Sequence, residues 1–294
     1  MAIHSHVLQN NQVLPATEKM MSPGQLGLLA GWGVFSTLRV QDGVLFEYPR
    51  HWARMARDAK LMHVPFAHDP AEVHGWLMQL VEANLAQNAT LRVVVIRNTG
   101  GIWEGPSPTG QPSDVMALTA DLKSWGAGAT LMTQPHARHA ANEFAGAKIL
   151  SWAQNLTWAE RAQQAGFSEM LLLNERGEVA ECTSANLFVG EGDQVSTPPL
   201  SSGCLAGITR QVLLENIRVR GIDIRERVLF PADLRNADAV FITSTTRDLL
   251  SVSRVDDQEL SSRGNVRERL AEAFATYRED YVRRLGSAAL PALY

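Results

Sequence analysis

Lys148 lies in the run Glu143-Phe144-Ala145-Gly146-Ala147-Lys148-Ile149-Leu150-Ser151-Trp152, with no acidic residue between Glu143 and Glu160. A lysine in so apolar a stretch can be desolvated, which lowers its pKa and makes its amine a nucleophile able to form a Schiff base. The competing reading is a lysine whose stem covers apolar surface while its ammonium reaches water. Glu181, in Gly177-Glu178-Val179-Ala180-Glu181-Cys182-Thr183-Ser184-Ala185-Asn186, is a carboxylate that could keep a heteroaromatic nitrogen protonated. It could equally be a surface glutamate, with Thr183, Ser184 and Asn186 as turn residues. Leu205-Ala206-Gly207-Ile208-Thr209-Arg210 reads as the start of a helix. Amides at such an end bind anions and glycine lets them approach, although capping alone also explains the pattern. Ser244-Thr245-Thr246 offers three hydroxyls at the end of an apolar strand, where loops commonly build sites.

The elements that must position these residues alternate in type. Val34 to Val40 and Val44 to Tyr48 read as strands around Gln41-Asp42-Gly43, because an Asp-Gly pair tolerates the positive φ of a tight hairpin. Trp52, Met55, Ala56 and Ala59 fall at helical spacing. Asp69 before Pro70 is an N-cap with proline at the first helical position, and Val73, Trp76, Leu77, Leu80, Val81 and Leu85 trace one apolar face behind it. Leu91 to Ile96 and Val115 to Ala120 read as strands, with Asn98 to Ser113 a loop. Further on, Met170 to Leu173, Val179 to Cys182 and Asn186 to Val189 read as consecutive antiparallel strands, with turns at Glu175-Arg176-Gly177 and Gly192-Asp193. A helix is expected from Gly207, strands at Ile222 to Val228 and Ala239 to Thr243, and a last helix carrying Val266, Leu270, Phe274, Tyr277 and Tyr281 inward. The class is α+β and not a doubly wound parallel sheet.

At 294 residues and 45% hydrophobic, the chain can bury one large core or two ordinary ones. A formal charge of −4, with no long like-charge run, gives no reason to expect nucleic acid or an anionic membrane as partner. Cys182 and Cys204 form no C-x-x-C pair, the first residues lack a secretory pattern, and no window is long and apolar enough to span a bilayer. A cytoplasmic enzyme without a metal site, acting on small molecules, is the expectation.

Together the motifs resemble the class IV, or fold type IV, pyridoxal-phosphate enzymes: branched-chain and D-amino acid aminotransferases, (R)-amine transaminases and aminodeoxychorismate lyases. The resemblance runs from about Gly31 to about Asp256. It includes Gly33-Val34-Phe35-Ser36-Thr37-Leu38-Arg39 with Asp42-Gly43, His51-Trp52-Ala53-Arg54, Lys148 with Asn155, and Gly166-Phe167-Ser168-Glu169. It continues through Glu181 to Phe188, Thr197-Pro198, Leu205 to Arg210, and Phe241-Ile242-Thr243-Ser244-Thr245-Thr246.

That resemblance implies pyridoxal 5'-phosphate as cofactor, with Lys148 as its Schiff-base lysine and proton shuttle and Glu181 as the partner of its ring nitrogen. Arg54, Gly207, Ile208, Thr209, Ser244 and Thr245 would bind the phosphate, and Leu205 would lie against the ring. The implied fold is a small N-terminal α/β sandwich over residues 1–121, a linker over 122–128 and a larger C-terminal pseudo-barrel over 129–294. The cofactor would lie between the domains of a homodimer. The implied activity is transfer of an amino group between an amino acid and a 2-oxo acid; an aminodeoxychorismate lyase, or a cofactor-binding protein with little turnover, is the alternative.

Three departures bear on substrate choice. Trp152 stands where many relatives place a tyrosine, and an indole cannot ionise as a phenol does. Ile102 and Glu104 occupy the positions of the Arg-x-His pair of D-amino acid aminotransferases. Phe35-Ser36-Thr37-Leu38-Arg39 replaces the branched-chain pattern Phe-Glu-Gly-x-Arg. Phe35, Thr37, Arg97 and Thr246 are the residues expected at the substrate, and Arg39, Arg92 and Arg138 are further possible carboxylate partners.

Overall fold

The computed structural model describes residues 2–286, apart from 23, 102–104, 106, 108, 261 and 262. The positions Ile102 and Glu104 therefore lie outside the described residues. The chain divides into two compact units. The first comprises Met1–Lys123, Lys148–Trp152 and Asp280–Tyr294, and the second Ser124–Ala147 and Ala153–Glu279. A contiguous division at 121 and 129 does not reproduce this, because Lys148–Trp152 pairs with a strand of the first unit.

The first unit is built on β1 (Ile3–Gln9), β2 (Gln12–Pro15), β3 (Gly33–Gln41), β4 (Val44–Leu45), β5 (Ala89–Arg97) and β6 (Ser113–Asp121). They form one antiparallel sheet in the order β2-β1-β6-β5-β3-β4. Helices α1 (Leu26–Ala30), α2 (Tyr48–Leu61) and α3 (Pro70–Ala83) accompany it. The two-residue side-chain period decides the sheet's faces. Val34, Leu38, Val40, Leu91, Val93 and Val95 turn into one core together with Met55 and Ala59 of α2 and Val73, Leu77 and Leu80 of α3. Phe35, Thr37 and Arg92 take the alternate positions, with Thr37 directly opposite Arg92. Asp69 caps α3 as its sequence implies, its carboxylate accepting from the amides of Ala71 and Glu72. The strand expected over Val44 to Tyr48 stops at Leu45, since Tyr48 already opens α2 with Pro49 in its first turn.

The second unit contains β7 (Ala129–Arg138), α4 (Ala153–Gln164), β8 (Glu169–Asn174), β9 (Val179–Cys182), β10 (Asn186–Glu191), β11 (Gln194–Thr197), α5 (Ile208–Glu215), β12 (Asp223–Glu226), α6 (Pro231–Asn236), β13 (Ala239–Ser244), β14 (Asp248–Val255) and β15 (Gln258–Glu259). Its sheet runs β12-β11-β10-β13-β14-β7-β8-β9, with β15 against β14. The final helix α7 (Val266–Gly286) buries Val266, Leu270 and Phe274. Strand β8 is buried along its whole length: Leu171 and Leu173 face one core, while Met170 and Leu172 face another that includes Trp158 and Ala162 of α4. A strand covered on both faces explains the unbroken apolar run at this position.

The hairpins β8–β9 and β10–β11 form as expected. The three successive antiparallel strands do not: β9 and β10 are not neighbours, and β7 pairs parallel with β8 through α4. A parallel pair needs a crossover element, and α4 supplies it.

Candidate active site

In the first unit, Lys148 sits in a short extended stretch that continues the sheet at the edge of β3. Val34 and Ile149 form an antiparallel bridge, Phe35 N donates to Lys148 O at 3.1 Å, and Leu150 N donates to Gly33 O at 2.9 Å. Gly33 is what permits this approach, since a Cβ there would fall 2.6 Å from Leu150 Cδ1 and 2.5 Å from Val95 O. The Lys148 amide donates to Asp58 Oδ2 of α2 at 3.0 Å. Its Nζ lies 4.5 Å from the Phe35 ring centroid and 5.8 Å from that of Trp152, and the two rings meet edge to face at 5.9 Å. The Arg92 guanidinium stands 4.0 Å over the same Phe35 ring. Phe35, Trp152, Arg92 and Lys148 thus form one aromatic and cationic group.

Arg54 is buried, and its Nη2 donates to Ser36 Oγ at 2.7 Å. Burial pushes its pKa down to about 10, against the opposing pull of Asp58. A cation kept dry at such a cost is the kind of group that a bound anion compensates. Arg97, expected at the substrate, is engaged elsewhere: it donates to Thr99 O at 2.7 Å and His63 O at 2.8 Å and stacks 4.2 Å over Trp32. Its position just past the last core residue of β5 makes it a fastener of the following loop.

In the second unit Glu181 is buried, not a surface glutamate. Its Oε1 accepts from Arg138 Nε at 3.1 Å and its Oε2 from the Leu205 amide at 3.0 Å. Arg138, read from the sequence as a possible substrate partner, is committed here, and its Nη2 also donates to Asn155 Oδ1 at 3.2 Å. Asn155 Nδ2 in turn donates to Thr183 O at 2.8 Å. Leu205 is held a second time through its carbonyl, which accepts from Asn186 Nδ2 at 2.9 Å.

Helix α5 begins directly after Gly207, whose extended backbone carries no side-chain cap. Ile208 and Thr209 thereby occupy the first helical positions, where amides lack intrahelical acceptors. A side chain at Gly207 would collide with Asn186 Oδ1, so glycine is required by packing as well as by access. The turn after β13 is fixed by Arg247, whose amide donates to Ser244 O and Oγ at 3.2 Å. Its guanidinium bonds Glu169 at 3.0 Å and Ser184 Oγ at 2.9 Å, and it stacks 3.7 Å over Trp125. Trp125 Nε1 donates to Thr246 O at 3.1 Å. Ser244 and Thr246 are thus placed by residues that spacing along the chain did not single out.

One unit presents a lysine fixed at its Cα and a buried arginine; the other presents a buried carboxylate and an uncapped helix start. This is the equipment of an enzyme that handles an anionic ligand and amine chemistry. The profile of the amino-transferase class IV family matches residues 33–255, and the chain belongs to that family. It is an aminotransferase, a transferase of nitrogenous groups, with the fold type IV architecture. It is 28% identical over 273 residues to D-alanine aminotransferase of Bacillus licheniformis, covering 87% of this chain and 90% of that one. It is also 28% identical over 264 residues to the branched-chain-amino-acid aminotransferase of Escherichia coli K12, covering 83% of each. Among solved structures, a hypothetical aminotransferase from Mycobacterium tuberculosis in its PLP-bound form superposes with a TM-score of 0.83 at 24% identity, covering 94% of this chain and 99% of that one. Among the described residues no helix is long and apolar enough to cross a membrane.

Proposed function

We propose that the chain transfers amino groups between an amino acid and a 2-oxo acid with pyridoxal 5'-phosphate bound to Lys148 as a Schiff base. The family match across 33–255, with Lys148 held at the edge of β3, carries this reading. The cofactor, when bound, supplies an electron sink for the charge that develops at the substrate Cα. Lys148 moves the proton at that carbon. Glu181, aimed by Arg138 and the Leu205 amide, accepts the hydrogen bond of the ring nitrogen. Arg54 and the amides of Ile208 and Thr209 hold the phosphate, with Ser244 and Thr245 completing its contacts, and Leu205 bounds the ring.

Phe35, Thr37 and Thr246 face the substrate. Arg92 replaces Arg97 as its carboxylate partner, because among the described residues its guanidinium has aromatic neighbours and no carboxylate. Burial lowers its pKa, which a bound carboxylate would reverse. We further propose a homodimer, as the family resemblance implies, and the cytoplasm, where the buried free thiols of Cys182 and Cys204 would stay reduced.

The test is to incubate the cofactor-loaded protein with single amino acids, branched-chain, D-alanine and acidic, and follow its absorbance. An aminotransferase converts stoichiometrically to the pyridoxamine form without any oxo acid and returns when one is added. A protein that forms no pyridoxamine with any of them, or that releases product catalytically from aminodeoxychorismate, is not the enzyme proposed.

A further inference from the structure

Helix α2 places His51 one turn before Arg54, and both reach the same side chain of β3. Ser36 Oγ lies 2.7 Å from Arg54 Nη2 and 2.7 Å from His51 Nδ1. Arginine can only donate, so Ser36 Oγ accepts from it, and the serine's own proton can then go to His51 Nδ1. The ring is neutral: burial, followed by the charges of Arg54 and Lys148, holds its pKa well below the usual histidine range. A neutral imidazole that accepts at Nδ1 carries its one proton on Nε2.

His51 is 1% exposed, and Nε2 has no hydrogen-bond partner among the described residues. A buried N–H left without an acceptor costs more than an ordinary hydrogen bond returns, so such groups are rarely left so. Arg54 and Lys148 are the charges acting on the ring. The nearby carboxylate of Asp58 is committed to Arg57 at 2.6 Å and to the Lys148 amide at 3.0 Å. Ser36 brings no charge. With two cations acting on the ring, an anion is the acceptor that suits both them and the Nε2–H.

We propose that His51 donates its Nε2–H to the phosphate that Arg54 binds, as an uncharged second donor set by Ser36. The proposal rests on the reading of the chain as a pyridoxal-phosphate enzyme. A neutral donor beside a guanidinium strengthens the hold on the anion without adding another buried charge.

The experiment uses full-length apo-protein labelled with ¹⁵N-histidine, titrated first with inorganic phosphate and then with pyridoxal phosphate. The expected result is that His51 carries its proton on Nε2 and that this N–H resonance shifts to saturation with phosphate. His51→Phe should bind inorganic phosphate about tenfold more weakly, one hydrogen bond's worth, and His51→Gln should recover part of the loss. A proton on Nδ1, an Nε2–H signal indifferent to saturating phosphate, or unchanged phosphate affinity in His51→Phe would each overturn the proposal. If that variant does not fold, the wild-type spectra decide alone. Borohydride trapping of pyridoxal phosphate on Lys148 is read in parallel. Failure of trapping with an intact phosphate response sinks the cofactor reading, and the reverse sinks the role of His51 only.

Discussion

The amide of Lys148 is bonded to α2 and its carbonyl to β3, so its Cα has little freedom and the reach of its side chain is fixed. Lys148→Ala leaves those backbone bonds in place while deleting the amine. We expect a folded protein with no turnover and no borohydride-reducible cofactor adduct; an adduct on another lysine would reassign the site. Lys148 and Glu181 could be singled out in the sequence because the motifs around them are local. What surrounds them could not. Arg138 is separated from Glu181 by 43 positions, and Arg247 from Glu169 by 78, so only folding pairs them. The partners of Arg97 were hidden for the same reason. A guanidinium near an expected site looks available until its acceptors, here two backbone carbonyls, are known.

Among elements, the hairpin β8–β9 presents Glu181 and carries its own fastening. Glu178 accepts from Arg176, Asn174 and Ser202, and with Arg176 as the largest cause its carboxyl falls to a pKa of about 2. A folded pKa depressed below an unfolded value of about 4.3 contributes stability that is complete above that value and is lost as pH falls towards 2. Glu178→Gln should therefore be less stable than the parent near neutrality, and denaturant midpoints of the two proteins should converge between about pH 4 and pH 2. A gap independent of pH would mean that shape, not charge, is what Glu178 contributes. At the start of α5, Gly207→Ala drives a methyl into Asn186 Oδ1, and the Nδ2 of the same side chain holds the Leu205 carbonyl. The expected outcome is a stability loss of about 1–3 kcal/mol, read from denaturant unfolding, with weakened cofactor binding. Helix α2 could be read from its apolar period, and α3 from period and capping together. Strand β7, with Pro135 and alternate polar residues, gave no such signal, and its parallel partners lie beyond a helix.

For the molecule as a whole, a linear reading divides the chain at a linker, yet Lys148–Trp152 joins the first unit through a bridge to Val34 that no composition shift announces. Binding energy offers a way to weigh the proposed contacts on the intact chain. A ligand that binds only the native state at 100 times its Kd stabilises it by about 2.7 kcal/mol, which for a protein of this size is a rise in Tm of roughly 4–5 °C. Pyridoxal phosphate should raise the melting temperature of the parent by at least that much, since the proposed Schiff base at Lys148 would add a covalent anchor. Lys148→Ala should keep part of the rise if, as proposed, Arg54, Glu181 and the α5 amides bind the cofactor without it. Arg54→Ala should lose more of the non-covalent share than Thr245→Val, since a charge-assisted contact to phosphate in a dry site outweighs one neutral donor. The measurement is differential scanning calorimetry of each variant with and without saturating cofactor. Equal rises in the parent and in Arg54→Ala would show that the buried guanidinium serves the packing of α2 on β3 and not the anion.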